Sequence, residues 1–277
     1  MVDSVSARSG LEPETNPGDQ PLQPIPATSQ RSRSPEHPAK DAVAYHRELA
    51  RSWEQRYQKP AFKARLRAFQ ECLAGRDLHG QDWLDAGSGS GTLARYLFEA
   101  GARVLGVDAA QEMIVMAREL ASSDVATPDV AGKHDPPRQL RFEHIATIAK
   151  LPLSDQSLDG ILCSSVLEYV PDPQACLTEF ARVLRPGGLL VVSVANRNSL
   201  VRWAQMGTHR LGRILGESWC AFLDHSHNEY TPASFRALLK EHGFTTSNVV
   251  AFGSPIPQWL QRREFGGSLL AFRAVRE

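Results

Sequence analysis

Short apolar runs bounded by turn residues recur through the middle of the chain, at Gln81–Ala86, Ala102–Val107, Leu140–Ile145, Leu158–Ser164 and Gly188–Val194. Each predicts a strand. Between them, Thr92–Ala100, Gln111–Leu120 and Gln174–Leu184 carry apolar residues at helical spacing. Leu189–Val194 is apolar without interruption, the pattern of a strand covered on both faces of a parallel sheet. Strands alternating with helices over Gln81–Ala195 predict an α/β domain with right-handed crossovers.

The flanks read differently. Tyr45, Leu49, Trp53 and Tyr57 share one helical face, and Phe62, Leu66, Phe69 and Leu73 resume the pattern after Pro60. Two N-terminal helices are expected over residues 41–79, broken near Lys59–Pro60. Their aromatics either dock on the core, or the first helix partly covers a ligand cleft. Residues 196–229 interrupt the alternation, with Trp203, Met206, Trp219 and Phe222 among arginines and histidines, and suggest a helical cap. Thr231–His242 predicts a helix with Pro232 in its first turn and Gly243 past its end. Val249–Phe252 and Ser268–Arg273 read as late strands, and Ala121–Arg138, rich in Pro, Gly, Asp and Ser, as a surface loop.

Composition adds boundaries. Residues 1–40 hold seven of the 18 prolines and almost no large apolar side chains, so they are expected to be a disordered tail before a domain over 41–277. Formal net charge is zero, which argues against general nucleic-acid or membrane-surface binding. No apolar run reaches the roughly 20 residues of a membrane span, and the N-terminus lacks the pattern of a secretory signal. The cysteines at 72, 163, 176 and 220 form no C-x-x-C pair and are read as reduced thiols. The expectation is a cytoplasmic protein with a small-molecule substrate and neither nucleic acid nor membrane as partner.

The chemistry concentrates in WLDAGSGSGT, Trp83–Thr92, and VLGVD, Val104–Asp108. Strand, glycine turn, helix, strand and acid is the layout of a nucleotide-type cofactor site. A helix start offers unpaired N–H groups, and Asp108 can accept two hydrogen bonds from a ribose diol. The turn lacks the G-K-[ST] ending of a P-loop. Its spacing is G-x-G-x-G, at Gly87, Gly89 and Gly91, rather than the dinucleotide G-x-G-x-x-G. Asp85 stands just before it, where a pyrophosphate would meet a like charge. A carboxylate there suits a cofactor with a cationic amino group, a ribose diol and no phosphate, such as S-adenosylmethionine.

LDAGSGSGTLARYL, VLGVD, LPLSDQSLDGILCSSVLEYVPD, LTEFARVLRPGGLLVVSVAN and YTPASFRALLKEHGF resemble the successive motifs of class I S-adenosylmethionine-dependent methyltransferases. The similarity is to the small-molecule branch that includes quinone-pathway enzymes. It implies a Rossmann-like methyltransferase fold, with a seven-stranded, mostly parallel sheet whose last strand runs antiparallel, helices on both faces and a helical cap. It also implies that Asp85, Gly87, Ser88 and Gly89 hold the methionine end and Asp108 the ribose. Ala109 and Met113 would flank the adenine, Thr147 and Ile148 would meet its amine and ring face, and Ser164 would lie beside the sulfonium. The family's acidic residue before LP falls at Thr147, so a hydroxyl or a backbone carbonyl would serve the adenine amine. Ala110 replaces a polar helix start, and Tyr169 stands where a histidine is common.

Methyl transfer from a sulfonium is an in-line displacement, driven largely by alignment and desolvation. A base is needed only when the acceptor must lose a proton. His225 and His227, in HSHNEY, are candidates for that base or for structural roles, and no third ligand accompanies them for a metal. Tyr169 either donates to the acceptor or packs in place of the histidine. Arg197 and Arg202 either meet an acidic substrate or are solvated. The expected activity is methyl transfer to a small molecule, most readily at oxygen. The alternatives are a non-catalytic binding module and a macromolecule methyltransferase, the latter disfavoured by CSSVLEYV in place of an N/D-P-P-Y motif.

Overall fold

The structure, a computed structural model, describes residues 43–44, 60–124, 139–216, 219–220, 222–253 and 265–277. All of them belong to the compact unit His37–Glu277. The 1–40 tail, the helix expected around Tyr45–Tyr57 and most of the Ala121–Arg138 loop lie outside the described residues.

The elements are α1 (Pro60–Leu73), β1 (Asp82–Ala86), α2 (Thr92–Glu99), β2 (Arg103–Asp108), α3 (Gln111–Asp124), β3 (Leu140–His144) and β4 (Leu158–Ser164). They continue with α4 (Pro173–Val183), β5 (Leu184–Asn196), α5 (Leu200–Leu215), α6 (Phe222–His225), β6 (Glu229–Tyr230), α7 (Pro232–Glu241), β7 (Phe244–Phe252) and β8 (Leu269–Arg276). The sheet order is β3-β2-β1-β4-β5-β8-β7, with β6 paired to β5 off this path. β8 runs antiparallel to both β5 and β7, and the other pairs are parallel. The seven-stranded, mostly parallel sheet with an antiparallel last strand is therefore present, plus one two-residue strand.

Two cores flank the sheet because side chains alternate along each strand. On β4, Ile161 and Cys163 join one core and Leu162 the other; on β5, Leu190 and Val192 oppose Leu189 and Val191. Continuous apolar runs thus feed both faces at once. α4 and α7 cover one face through Phe180, Leu177, Phe235 and Leu239. On the other, α1, α2 and α3 contribute Phe69, Cys72, Leu97 and Ile114.

Local chemistry sets the helix starts. Asp172 caps α4 by accepting the Gln174 and Ala175 amides, both at 3.0 Å, with Pro173 following. Thr231 and Ser234 form a reciprocal capping box on α7. β5 begins earlier than the apolar pattern predicts. Leu184 pairs with Leu158, residues 185–188 bulge out with Gly187 at φ 76°, and Leu189 resumes pairing with Gly160. β7 begins at Phe244, five residues before the expected start at Val249, because ladder bonds to β8 hold the polar stretch Thr245–Asn248.

Strand order reverses between β1 and β4, the switch point at which open α/β sheets place ligands beyond the strands' carboxyl ends.

Candidate functional site

A cavity of about 230 Å³ opens at that switch point. Asp85, Gly87, Ser88 and Gly89 line it from the turn after β1, and Asp108, Ala109 and Met113 from the exit of β2. Thr147, Ile148 and Ser164 complete the far wall. Every residue expected to contact the cofactor therefore faces one space.

The glycine turn folds back on β2, with the Gly87 and Ser88 amides donating to the Val107 carbonyl at 2.8 and 2.9 Å. Gly87 has φ 76°, and a Cβ there would lie 2.2 Å from Val166 Cγ2. Gly91, at φ 79°, precedes α2, and a Cβ there would overlap the Phe142 ring. Gly91 is thus demanded by backbone handedness and packing rather than by a ligand.

Asp108 and Asp85 divide the electrostatics. Asp108 accepts the Gly89 amide at 2.9 Å on Oδ2 and the Ala110 amide at 2.8 Å on Oδ1. Each carboxylate oxygen can accept a further bond, so the pair matches a diol. Asp85 is 1% exposed and its Oδ2 has no hydrogen-bond partner. Burial pushes its carboxyl up to about 7, the Ala94 amide opposes that shift, and Asp108 adds to it by repulsion. The Ser88 and Ser164 hydroxyls are likewise buried without partners. A buried carboxylate with one oxygen unpartnered, beside a diol-matching acid, fits a ligand bearing both an ammonium group and a ribose.

The 145–148 segment is held from behind. Glu179 Oε1 accepts the Leu151 amide at 2.6 Å, and Arg182 donates to the Leu151 and Leu153 carbonyls at 3.2 and 2.9 Å. Thr147 Oγ1 accepts the Ala149 amide at 3.1 Å, so the hydroxyl is engaged in its own turn.

Tyr169 lines the cavity and its side chain bonds Glu168. Glu168 is buried with Oε2 unpartnered; burial raises its pKa, against the pull of Arg202, Arg65 and Tyr169. His225 and His227 do not line the cavity. Instead the His227 amide donates to the Glu168 carbonyl at 2.8 Å, and the Asn228 side-chain amide donates to the Leu167 and Val170 carbonyls, both at 2.9 Å, docking HSHN on that loop. Arg202 departs from both sequence readings: it is 3% exposed and its Nε donates to Glu229 at 2.9 Å. Arg197 bonds through its amide to the Tyr230 carbonyl at 2.9 Å.

Sequence reasoning missed Phe62, Arg65 and Leu66 on α1, which line the cavity with Val43. The periodicity marked a buried face but could not say that part of it borders the cleft. It also missed Ser165, whose left-handed φ of 55° is held by its amide donating to Ser193 Oγ at 2.9 Å. The first of the two N-terminal helices, read either as docking on the core or as partly covering the cleft, lies outside the described residues apart from Val43 and Ala44.

Residues 84–192 match the family described as Methyltransferase domain. The chain is 31% identical over 153 residues to the ubiquinone biosynthesis O-methyltransferase of Idiomarina loihiensis, an alignment covering 51% of this chain and 58% of that protein. It is 31% identical over 169 residues to its Coxiella burnetii counterpart, covering 57% and 63%. The chain thus spans about three-fifths of the length of these relatives. Among solved structures, magnesium protoporphyrin IX methyltransferase from Synechocystis with bound SAH superposes with TM-score 0.64 at 18% identity, covering 86% of this chain and 99% of that one. A possible histamine N-methyltransferase from Thermotoga maritima superposes with TM-score 0.61 at 19% identity, covering 84% and 99%. At these identities the superpositions establish the fold.

Proposed function

We propose that this chain, whose residues 84–192 match a methyltransferase domain, transfers a methyl group from S-adenosylmethionine to an oxygen of a small organic acceptor. Two relatives named ubiquinone biosynthesis O-methyltransferases support oxygen as the acceptor atom. The observation that carries the cofactor reading is Asp85 Oδ2, buried in the cavity wall with no partner, on the strand next to the one that ends at Asp108.

In this reading Asp85 holds the cofactor's ammonium group and Asp108 its ribose diol. Met113 and Ile148, both buried, sandwich the adenine, while the 147 carbonyl accepts from its amine. The cofactor, when bound, supplies an electrophilic methyl on a sulfonium. Ser164, at the end of β4, faces that position, and Phe62, Arg65 and Tyr169 border the acceptor side. These residues align the acceptor and exclude water, the two contributions such a displacement needs. Tyr169, bonded to Glu168, can orient an acceptor hydroxyl. His225 and His227 reach the acceptor only through a rearrangement of the segment docked on Glu168, so Tyr169 is the stronger candidate of the three. The protein is read as cytoplasmic, in keeping with four free cysteines.

Calorimetry with S-adenosylhomocysteine tests the cofactor assignment, and binding at micromolar affinity is expected. Absence of binding to folded protein would overturn it. Transfer of label from S-adenosylmethionine to simple catechols, compared with amine acceptors, tests the choice of oxygen.

A further inference from the structure

The loop after β4 sets a buried acid beside a phenol that borders the cavity. Glu168 is 4% exposed and its Oε2 has no hydrogen-bond partner. Tyr169 lines the cavity, and its side chain bonds the Glu168 carboxyl. A buried carboxyl left short of bonds costs stability. The cofactor seat has no use for this one, since Asp85 and Asp108 already supply its acids.

The pair is held still. The Tyr169 amide donates to the Val166 carbonyl at 2.9 Å, and the Glu168 carbonyl accepts the His227 and Asn228 amides at 2.8 and 3.3 Å. Asn228 ties down the carbonyls on either side, at Leu167 and Val170. Groups fixed in this way meet a reacting atom without first being ordered. Charges reach Glu168 from three other elements. Burial raises its pKa above the ordinary carboxylate range, Arg202 of α5 and Arg65 of α1 pull it down, and Glu229 of β6 adds to the rise. The Cys163 thiol of β4, within range of its charge, is kept neutral by burial. An ionised carboxyl in such surroundings takes up a proton more readily than an exposed one.

Building on the reading of oxygen as the acceptor atom, we propose that Glu168 receives the proton released in methyl transfer, by way of the Tyr169 hydroxyl. The acceptor oxygen forms its bond to the methyl carbon while the carbon–sulfur bond breaks, its electron pair staying on sulfur. The acceptor O–H bond breaks, its proton passes to Tyr169 Oη, and the phenol's own proton passes to Glu168. The sulfonium and carboxylate charges cancel, leaving a thioether, a methyl ether and protonated Glu168. Tyr169 is the catalytic residue, and Glu168 acts through it.

The test compares wild type, Glu168→Gln, Tyr169→Phe and the double variant in transfer to catechol and to 4-nitrocatechol, which ionises near neutral pH. With catechol each single variant should lose about 100-fold in kcat, with KM changed by less than about threefold. The double variant should lose no more, because the two groups form one relay. With 4-nitrocatechol at pH 8 the loss should shrink to below about threefold, since no proton has to leave. At saturating cofactor, which removes the titration of Asp85 from the rate, wild-type kcat for catechol should fall about tenfold per pH unit below the raised Glu168 pKa. That limb should vanish in Glu168→Gln. Apart from turnover, the infrared carbonyl stretch of protonated Glu168 should disappear in Glu168→Gln and shift in Tyr169→Phe. Unchanged S-adenosylhomocysteine affinity in the variants would show that fold and cofactor seat are intact. Failure of the wild type to bind S-adenosylhomocysteine would bring down the methyltransferase reading. With that binding intact, equal catechol turnover in wild type and Glu168→Gln, equal losses on both acceptors, or an unshifted stretch in Tyr169→Phe would overturn the relay alone.

Discussion

The Asp108 carboxylate accepts the Gly89 amide at 2.9 Å across 19 residues of sequence. The acid at the end of β2 is therefore part of the glycine turn as well as a candidate ribose ligand, and its substitution tests both. Asp108→Asn keeps the shape but leaves one acceptor oxygen for two amides and a diol. S-adenosylhomocysteine affinity should fall about 100-fold, with a loss of about 1 kcal/mol in stability. Asp108→Ala should cost more stability than Asp108→Asn. Calorimetry and urea unfolding check the two together; equal affinity for wild type and Asp108→Asn would remove Asp108 from the cofactor site.

Arg182 acts on the cavity at one remove. Its guanidinium holds the carbonyls of Leu151 and Leu153 and pairs with Glu179, which in turn accepts the Leu151 amide. The Arg182 bond holds the Glu179 carboxyl below the usual range, burial working against it. Arg182→Met should leave Glu179 and two carbonyls short of partners, costing about 2 kcal/mol. Because the same loop carries Thr147 and Ile148, cofactor affinity should drop severalfold without any change in the groups that touch the ligand. The measurement is thermal denaturation with and without saturating S-adenosylhomocysteine. Since a depressed acid contributes stability that disappears as pH falls through its folded pKa, the gap between wild type and variant should narrow in acid.

Gly91 and Phe142 form a second coupled pair. A Cβ at 91 would lie 2.5 Å from Phe142 Cζ, on a backbone at φ 79°. Gly91→Ala should cost about 2–5 kcal/mol, from left-handed strain together with overpacking. In a Phe142→Val background the overpacking part vanishes and the strain stays. The two substitutions together should thus destabilise less than the sum of each alone, a non-additivity of about 1–3 kcal/mol read from chemical unfolding. Strict additivity would mean that the ring and the turn do not meet.

These relationships mark what was legible in the sequence. β1 to β5 were, because a continuous apolar run such as Leu189–Val194 can only be satisfied by cores on both faces. That Asp85, Gly87, Gly89 and Asp108 line one cavity was legible too, because they are adjacent in sequence to the strand ends that aim them. What stayed hidden depends on partners far along the chain. Arg202 reads as a substrate-binding or a solvated arginine until Glu229 and Ser226 are folded onto it. Arg65 and Phe62 belong to a helix whose pattern was accounted for by the core, and only the path of α1 past the strand ends brings them to the cavity.

Asp85 gives the most discriminating pH test. Its folded pKa is raised to about 7 from an ordinary 3.8, chiefly by burial. Between those values the folded, ligand-free protein holds a proton that the unfolded chain has released, so stability falls as pH rises through that window and levels off above about 7. The full loss is on the order of 4 kcal/mol. Ligand binding runs the other way. A cationic amino group requires the ionised carboxylate, so S-adenosylhomocysteine affinity should weaken about tenfold per pH unit below 7 and stay level just above it. Binding below pH 7 should release a proton, measurable by calorimetry in buffers of different ionisation enthalpy. Asp85→Asn removes the charge and keeps the shape. It should raise the melting temperature of the ligand-free protein at pH 8, weaken ligand binding there by at least about tenfold, and abolish the proton release. Retention of proton release in Asp85→Asn would assign the titration to another group, and unchanged affinity at pH 8 would remove Asp85 as the counter-ion.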